Sequence, residues 1–191
     1  MYSLIDKKRA LSLLLQLGEE LSADGLTAIL DVYGGVAMSL SVMENTASFD
    51  LDAVVGAKNR AAFWRAVDRV TKKNQDLMPE WLNEGVLSLV KEDLKRQDLW
   101  DFGQSGGLTV RLPRPEQLLA MKVYSARLDK EDLSHSVHLC RSLGITSSME
   151  IHMILKLYVK EEAIKKQNRR KGRHNCIHNF IEVLVEMLDN D

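Results

Sequence analysis

The residues best suited to chemistry are two aspartates, Asp50 and Asp52, set in the stretch SFDLDAVV at residues 48–55. Read as a strand, this stretch puts Phe49, Leu51, Ala53 and Val55 on one face and Ser48, Asp50, Asp52 and Val54 on the other. Two carboxylates on one strand face sit roughly 6.5 Å apart at Cα. At an effective dielectric near 20 they repel by about 2–3 kcal/mol. Aspartate is also a poor strand former. A divalent cation would offset that repulsion, because Mg2+ takes oxygen ligands and often uses only one or two carboxylates plus substrate phosphates. Alone, a pair of this kind also suits the solvated face of an edge strand, where acids discourage aggregation.

The elements that must position the pair lie just upstream. Residues 27–33 are apolar and β-branched and predict a buried strand ending at Gly34-Gly35, and residues 36–43 predict a short helix starting directly at the glycines. Glycine lets a ligand approach the backbone, and a helix N-terminus offers unpaired N–H groups to an anion. The ordinary alternative is a tight strand-to-helix turn. With an acidic pair following, a phosphate-and-cation site is the better reading of residues 30–55.

Around this core, residues 6–21 predict an amphipathic helix with Ala10, Leu11, Leu14, Leu15 and Leu17 inward, and residues 58–73 another with Phe63, Trp64, Val67 and Val70 inward. Residues 76–104 are ambiguous: a helix through Trp81, Leu82 and Val86, or a strand over 86–90, then a loop at 98–101 and 103–107. LTVRL at 108–112 predicts a third strand. Pro115-Glu116 opens a helix to about Leu128. Within it Lys122 reads equally as a snorkelling side chain or a phosphate ligand. Asp129 and Asp132 suit the start of a further helix, 133–143, that stops at Gly144. Ser147 and Glu150 have capping-box spacing before one long helix with Ile151, Ile154, Leu155 and Tyr158 buried. Phe180, Ile181, Leu184, Val185 and Leu188 predict a closing helix.

At 191 residues, 45% apolar and 28% charged, the composition is that of an ordinary globular chain. A net charge of -1 excludes a uniformly basic, nucleic-acid-coating surface. One local basic run remains: Lys165, Lys166, Arg169, Arg170, Lys171 and Arg173, read either as a solvated helix end or as a contact for an RNA backbone. It holds no aromatic residue to stack on bases. Cys140 and Cys176 form no CxxC motif and are expected to be free thiols. His174 and His178 have helical i,i+4 spacing without a third metal ligand. With no cleavable leader evident and no apolar stretch long enough for a membrane span, a cytoplasmic protein with no membrane partner is expected.

Tyr33-Gly34-Gly35-Val36-Ala37, then Ser48-Phe49-Asp50-Leu51-Asp52, then residues 115–122, PEQLLAMK, with Arg127, Asp129 and Asp132, together resemble the nucleotidyltransferase superfamily. Within it they are similar to the small bacterial group that includes AbiEii-type abortive-infection toxins. The resemblance covers about residues 30–143. It implies an α/β (α+β) fold: a nucleotidyltransferase-type mixed β-sheet core over residues 1–112, flanked by helices, and a helical C-terminal region over 113–191. It implies Mg2+ or Mn2+ held by Asp50 and Asp52, a nucleoside triphosphate held by Gly34, Gly35, Ser48, Lys122 and Arg127, and catalysis through Asp50, Asp52 and Lys122. Asp129 or Asp132 would add an acid. The activity implied is transfer of a nucleotide to an RNA, such as tRNA, or to a protein hydroxyl, by a toxin with an antitoxin partner. Two positions depart from the pattern: Thr46 stands where many relatives have arginine, and Arg111 where the wider superfamily has a third carboxylate. They leave open a catalytically inactive nucleotide- or partner-binding module on the same fold.

Overall fold

A computed structural model of the chain describes residues 2–43, 45–89, 99–168 and 176–190. The described residues form two compact units, one of residues 2–87 and 99–113, the other of 88–89 and 114–190. The fold class is α+β, with a five-stranded mixed sheet and flanking helices.

In the first unit, α1 (Lys7–Ala23) starts at Asp6, whose carboxylate accepts from the Arg9 N–H, and β1 (Ala28–Tyr33) follows. β1 runs straight into α2 (Gly34–Ser41), and β2 (Leu51–Ala57) leads to α3 (Arg60–Lys73), capped by the Asn59 side chain. Then come β3 (Leu82–Asn83), a 3-10 turn at Gly85–Ser88, and the hairpin of β4 (Leu99–Ser105) and β5 (Leu108–Pro113). The strand order is β3-β2-β1-β5-β4. β1 lies between antiparallel β2 and parallel β5, so the strand entering the glycine turn is held on both sides.

Strand alternation divides the sheet chemically. Leu30, Val32, Leu51, Ala53, Val55, Leu108, Val110 and Leu112 share one face, all buried. The opposite face carries Tyr33 beside Asp52 and Asp31 beside Val54. It continues through Arg111, next to Asp31, to Asp101 at the β4 edge. Among the described residues, the outer edge of β2 has no strand partner beyond Asn83, and side chains bond to it. Glu84 accepts from the Val55 N–H (3.1 Å), and Arg60 donates to the Val55 carbonyl (3.1 Å) while pairing with Glu84.

Several local expectations give way to tertiary structure. The strand expected from Ser48 starts only at Leu51; Phe49, expected on the apolar face, is 52% exposed. The cause is Ile5, whose backbone forms a two-way bridge with Ser48 and holds residues 48–50 out of the sheet. In α1, Leu11 and Leu15 face outward and Leu13 is buried instead. Neither the expected helix nor the expected strand matches the described part of this segment, which has β3 and a 3-10 turn, and Val90 lies outside the described residues. The loop expected at 98–101 and 103–107 is in large part β4, an edge strand with a bulge between Asp101 and Gly103 that disrupts its alternation.

The second unit is helical. α4 (Pro115–Ser125) starts with proline at its first position and ends at Ala126, in the left-handed region at φ 48°. α5 (Lys130–Leu143) runs from an Asp129 cap to Gly144 at φ 67°. α6 (Ser148–Tyr158) has the full Ser147–Glu150 capping box, and α7 (Glu161–Asn168) and α8 (Cys176–Asp189) follow. The long helix expected after Glu150 is therefore two. Val159 is extended, and the Lys160 N–H donates to the Leu89 carbonyl at 3.2 Å rather than continuing α6. Among the described residues, no helix is long and apolar enough to cross a membrane.

Candidate functional site

The turn from β1 into α2 brings the glycines against the acids. Gly34 has φ +67°, a conformation L side chains rarely adopt, and a Cβ there would lie 2.7 Å from Asp52 Oδ2. At Gly35 a Cβ would lie 3.1 Å from Ser48 Cβ. Both glycines thus serve close approach to the segment that carries the acids. No side chain caps the start of α2, so its first-turn N–H groups are not bound by an N-cap side chain.

Asp50 and Asp52 are both half-buried. Asp52 is fixed by β2, directly across from Tyr33. Asp50 sits on the bend before the strand, where two neutral donors hold it: Ser48 Oγ donates to Oδ1 and Asn83 Nδ2 to Oδ2, each at 3.1 Å. Asn83, which the sequence reading missed, also lies opposite Asp52 in the β2–β3 register. Its Oδ1 accepts from the Gly85 N–H at 2.8 Å, an Asx turn whose Asn-x-Gly spacing was the available signal. The oxygen donors on this stretch are the Asp50 and Asp52 carboxylates and the Ser48 hydroxyl, hard ligands of the kind Mg2+ or Mn2+ takes, while the Asn83 amide oxygen is taken up by the Gly85 N–H. Among the described residues no group of three or more His, Cys, Asp or Glu converges as a metal cage. Asp50 and Asp52 are the two carboxylates here that could hold a divalent ion.

Arg111 is committed elsewhere on the same sheet face. It is 8% exposed, and its Nε donates to Asp31 Oδ1 at 2.7 Å, with Asp31 7% exposed. The guanidinium on β5 is neutralised by an acid from the neighbouring strand, β1. Thr46 is buried.

In the second unit, Lys122, Arg127 and Asp132 form one cluster, with Asp129 at its edge. Lys122 Nζ donates to Asp132 Oδ1 at 2.5 Å, and Arg127 Nε to Asp132 Oδ2 at 2.8 Å. Ser125 Oγ also reaches Oδ2 (3.3 Å), and Asp129 accepts from the Asp132 N–H (2.7 Å) as the α5 cap. Lys122 is buried rather than snorkelling, whereas the Arg127 side chain is 66% exposed. Burial pushes the Asp132 carboxyl up, but the Lys122 bond, the charges of Lys122 and Arg127, and the Ser125 bond outweigh it and hold the group below its ordinary value. His135 on α5 is held below its ordinary value by burial and by the Lys122 charge, against Glu131, Asp132 and Asp129.

These shifts predict two steps of acid destabilisation. Folded His135 binds a proton less readily than unfolded His135, so stability falls as pH drops through the ordinary histidine value of ~6.5 toward the folded one. Folded Asp132 holds its charge to lower pH than unfolded Asp132, so its contribution is complete above pH ~4 and is lost below that. Urea midpoints across pH 3–8 are expected to fall in both windows, and His135→Gln is expected to flatten the upper one. An unchanged upper step in that variant would place its origin elsewhere.

Of the basic run, Lys165 pairs with Glu161 at 2.6 Å and Lys166 lies in the same helix, α7. Arg169, Arg170, Lys171 and Arg173 lie outside the described residues, as does His174; His178 is 3.0 Å from Glu182. Cys140 is buried and its thiol is pushed up to about 12, chiefly by burial, which makes it unreactive near neutrality; the Cys176 side chain lies outside the description.

No protein-family model matches this chain, and no curated protein and no solved structure matches it.

Proposed function

We propose that this chain is a Mg2+- or Mn2+-dependent nucleotidyltransferase that moves a nucleotide from a nucleoside triphosphate to a hydroxyl of RNA, tRNA foremost, or of a protein, as the toxin of a toxin–antitoxin pair acting in the cytoplasm. The observation that carries this reading is Gly34: a left-handed glycine at the mouth of α2, pressed so closely on Asp52 that a side chain there would meet the carboxylate. That arrangement joins an anion-accepting backbone to a cation-binding acid.

Asp50 and Asp52 would hold the divalent ion, which when bound neutralises phosphate charge and activates the attacking hydroxyl. The chain's own groups then position the reaction. The N–H groups of Gly34 and Gly35 would donate to phosphate oxygens, and Ser48 and Asn83 keep Asp50 oriented; in the second unit, the exposed Arg127 side chain is available to an RNA backbone. A bond forms from the acceptor oxygen to the α-phosphorus as the bond to pyrophosphate breaks, and the hydroxyl proton is lost to solvent. Lys122 enters this scheme as a phosphate ligand only by exchanging its bond to Asp132.

Purified protein incubated with each labelled triphosphate, bulk tRNA and Mg2+ is expected to transfer label, and Asp50→Asn with Asp52→Asn to abolish at least ~99% of it, in line with loss of phosphoryl-transfer electrostatics. Transfer that persists in the double variant removes the proposed mechanism. The buried Arg111–Asp31 pair, which puts a cation where a third acid would stand, favours one second reading: a nucleotide- or partner-binding module without transfer. Thermal stabilisation by triphosphate and Mg2+ with no labelled product identifies it.

A further inference from the structure

We propose that Asn83 is a positioning residue for the acidic pair: its amide holds the Asp50 carboxylate in the orientation in which Asp50 and Asp52 bind one divalent cation. This rests on the two-aspartate reading above. Asp50 most needs such help, since it stands on a bend outside β2 and the sheet does not fix it.

The direction of the amide is chemically determined. One end of the Asn83 side chain faces the Gly85 N–H, a donor, at 2.8 Å, and the other faces Asp50 Oδ2, an acceptor, at 3.1 Å. A flipped amide would set NH2 against N–H and oxygen against carboxylate, unfavourable at both ends. The Asx turn therefore aims the NH2 group at Asp50. On the far side Ser48 Oγ donates to Oδ1, so each carboxylate oxygen meets one neutral donor and keeps a lone pair for a cation. Among the described residues, no basic side chain binds Asp50 in competition. The turn also lies close to the second acid: a Cβ at Gly85 would be 3.0 Å from Asn83 Oδ1 and 3.8 Å from Asp52 Oδ1. Asn83 thus links Asp50 to the loop beside Asp52, the role outer partners play around metal-binding carboxylates.

The test is Mn2+ titration of the full chain, followed by the EPR signal of the free ion, with thermal unfolding measured in parallel. Wild type is expected to bind and Asp50→Asn to lose binding. Asn83→Ala is expected to bind about 10-fold more weakly, the lower end of the usual outer-partner effect. Asn83→Asp keeps the acceptor for Gly85 and turns a third carboxylate toward the cation, so it is expected to bind more tightly than wild type and to show an altered spectrum of the bound ion. A purely structural role moves the unfolding midpoint in both variants and leaves the affinities alike. Unchanged affinity in Asn83→Ala, or weakened affinity in Asn83→Asp, overturns the positioning role while the aspartate site stands. Wild type that binds no Mn2+, or binds it equally as Asp50→Asn, overturns the two-aspartate reading itself.

Discussion

Asp132→Ala is expected to destabilise the chain by about 3–5 kcal/mol, because it leaves the Lys122 ammonium buried without its counter-charge. Lys122→Met in the same background should recover much of that loss, since replacing a buried pair by packed apolar side chains is often neutral. Lys122→Met alone leaves Asp132 with Arg127 and Ser125 and is expected to lose less than Asp132→Ala. This series also separates the two readings of Lys122. A stable double variant that has lost labelled transfer assigns the Lys122–Asp132 pair to the reaction, and one that retains it assigns the lysine to the helical unit alone. Urea unfolding supplies the stability arm; comparable losses in Asp132→Ala and in the double variant would contradict the buried-charge account.

Gly18→Ala is expected to be comparably severe. α1 lies so close to the β4–β5 hairpin that the Gly107 N–H donates to the Gly18 carbonyl at 2.9 Å, and a Cβ at Gly18 would stand 2.0 Å from the Ser105 carbonyl oxygen. Backbone, not a flexible side chain, blocks the space, so relief requires moving the helix and losing that hydrogen bond. The loss should reach or exceed the upper end of the ~1–3 kcal/mol typical of overpacking. Gly103→Ala, on the same hairpin with open space around it, is the matched control and should be near neutral. Equal midpoints for the two variants would show that α1 and the hairpin do not approach as described.

What the sequence disclosed and what it hid follow from the range of the interactions. The β1 strand, the helix beginning at the glycines, the Gly144 stop and the Ser147–Glu150 cap are set within a few residues, and each stands where local chemistry put it. β4 was hidden because an edge strand with exposed Trp100 and a bulge after Asp101 has no inward–outward alternation to read. The break at Val159 was hidden because it accompanies a hydrogen bond to Leu89, far away in sequence. At the candidate site, the closeness of Gly34 to Asp52 follows from strand pairing that alternation foreshadowed. The bend at Asp50 depends on Ile5, and its support depends on Asn83; neither lies near it in sequence. The Arg111–Asp31 pair shows the same limit: Arg111 was legible as a departure, but its counter-charge on the adjacent strand was visible only once β1 and β5 were paired.

The most direct measurement is a crystal of the full chain with a nonhydrolysable nucleoside triphosphate and Mn2+, read by anomalous scattering. The account predicts one peak bound by carboxylate oxygens of Asp50 and Asp52, with phosphate oxygens at the N–H groups of Gly34 and Gly35, and loss of that peak in Asp50→Asn with Asp52→Asn. A triphosphate and Mn2+ bound elsewhere, or a peak unchanged in the double variant, would contradict it.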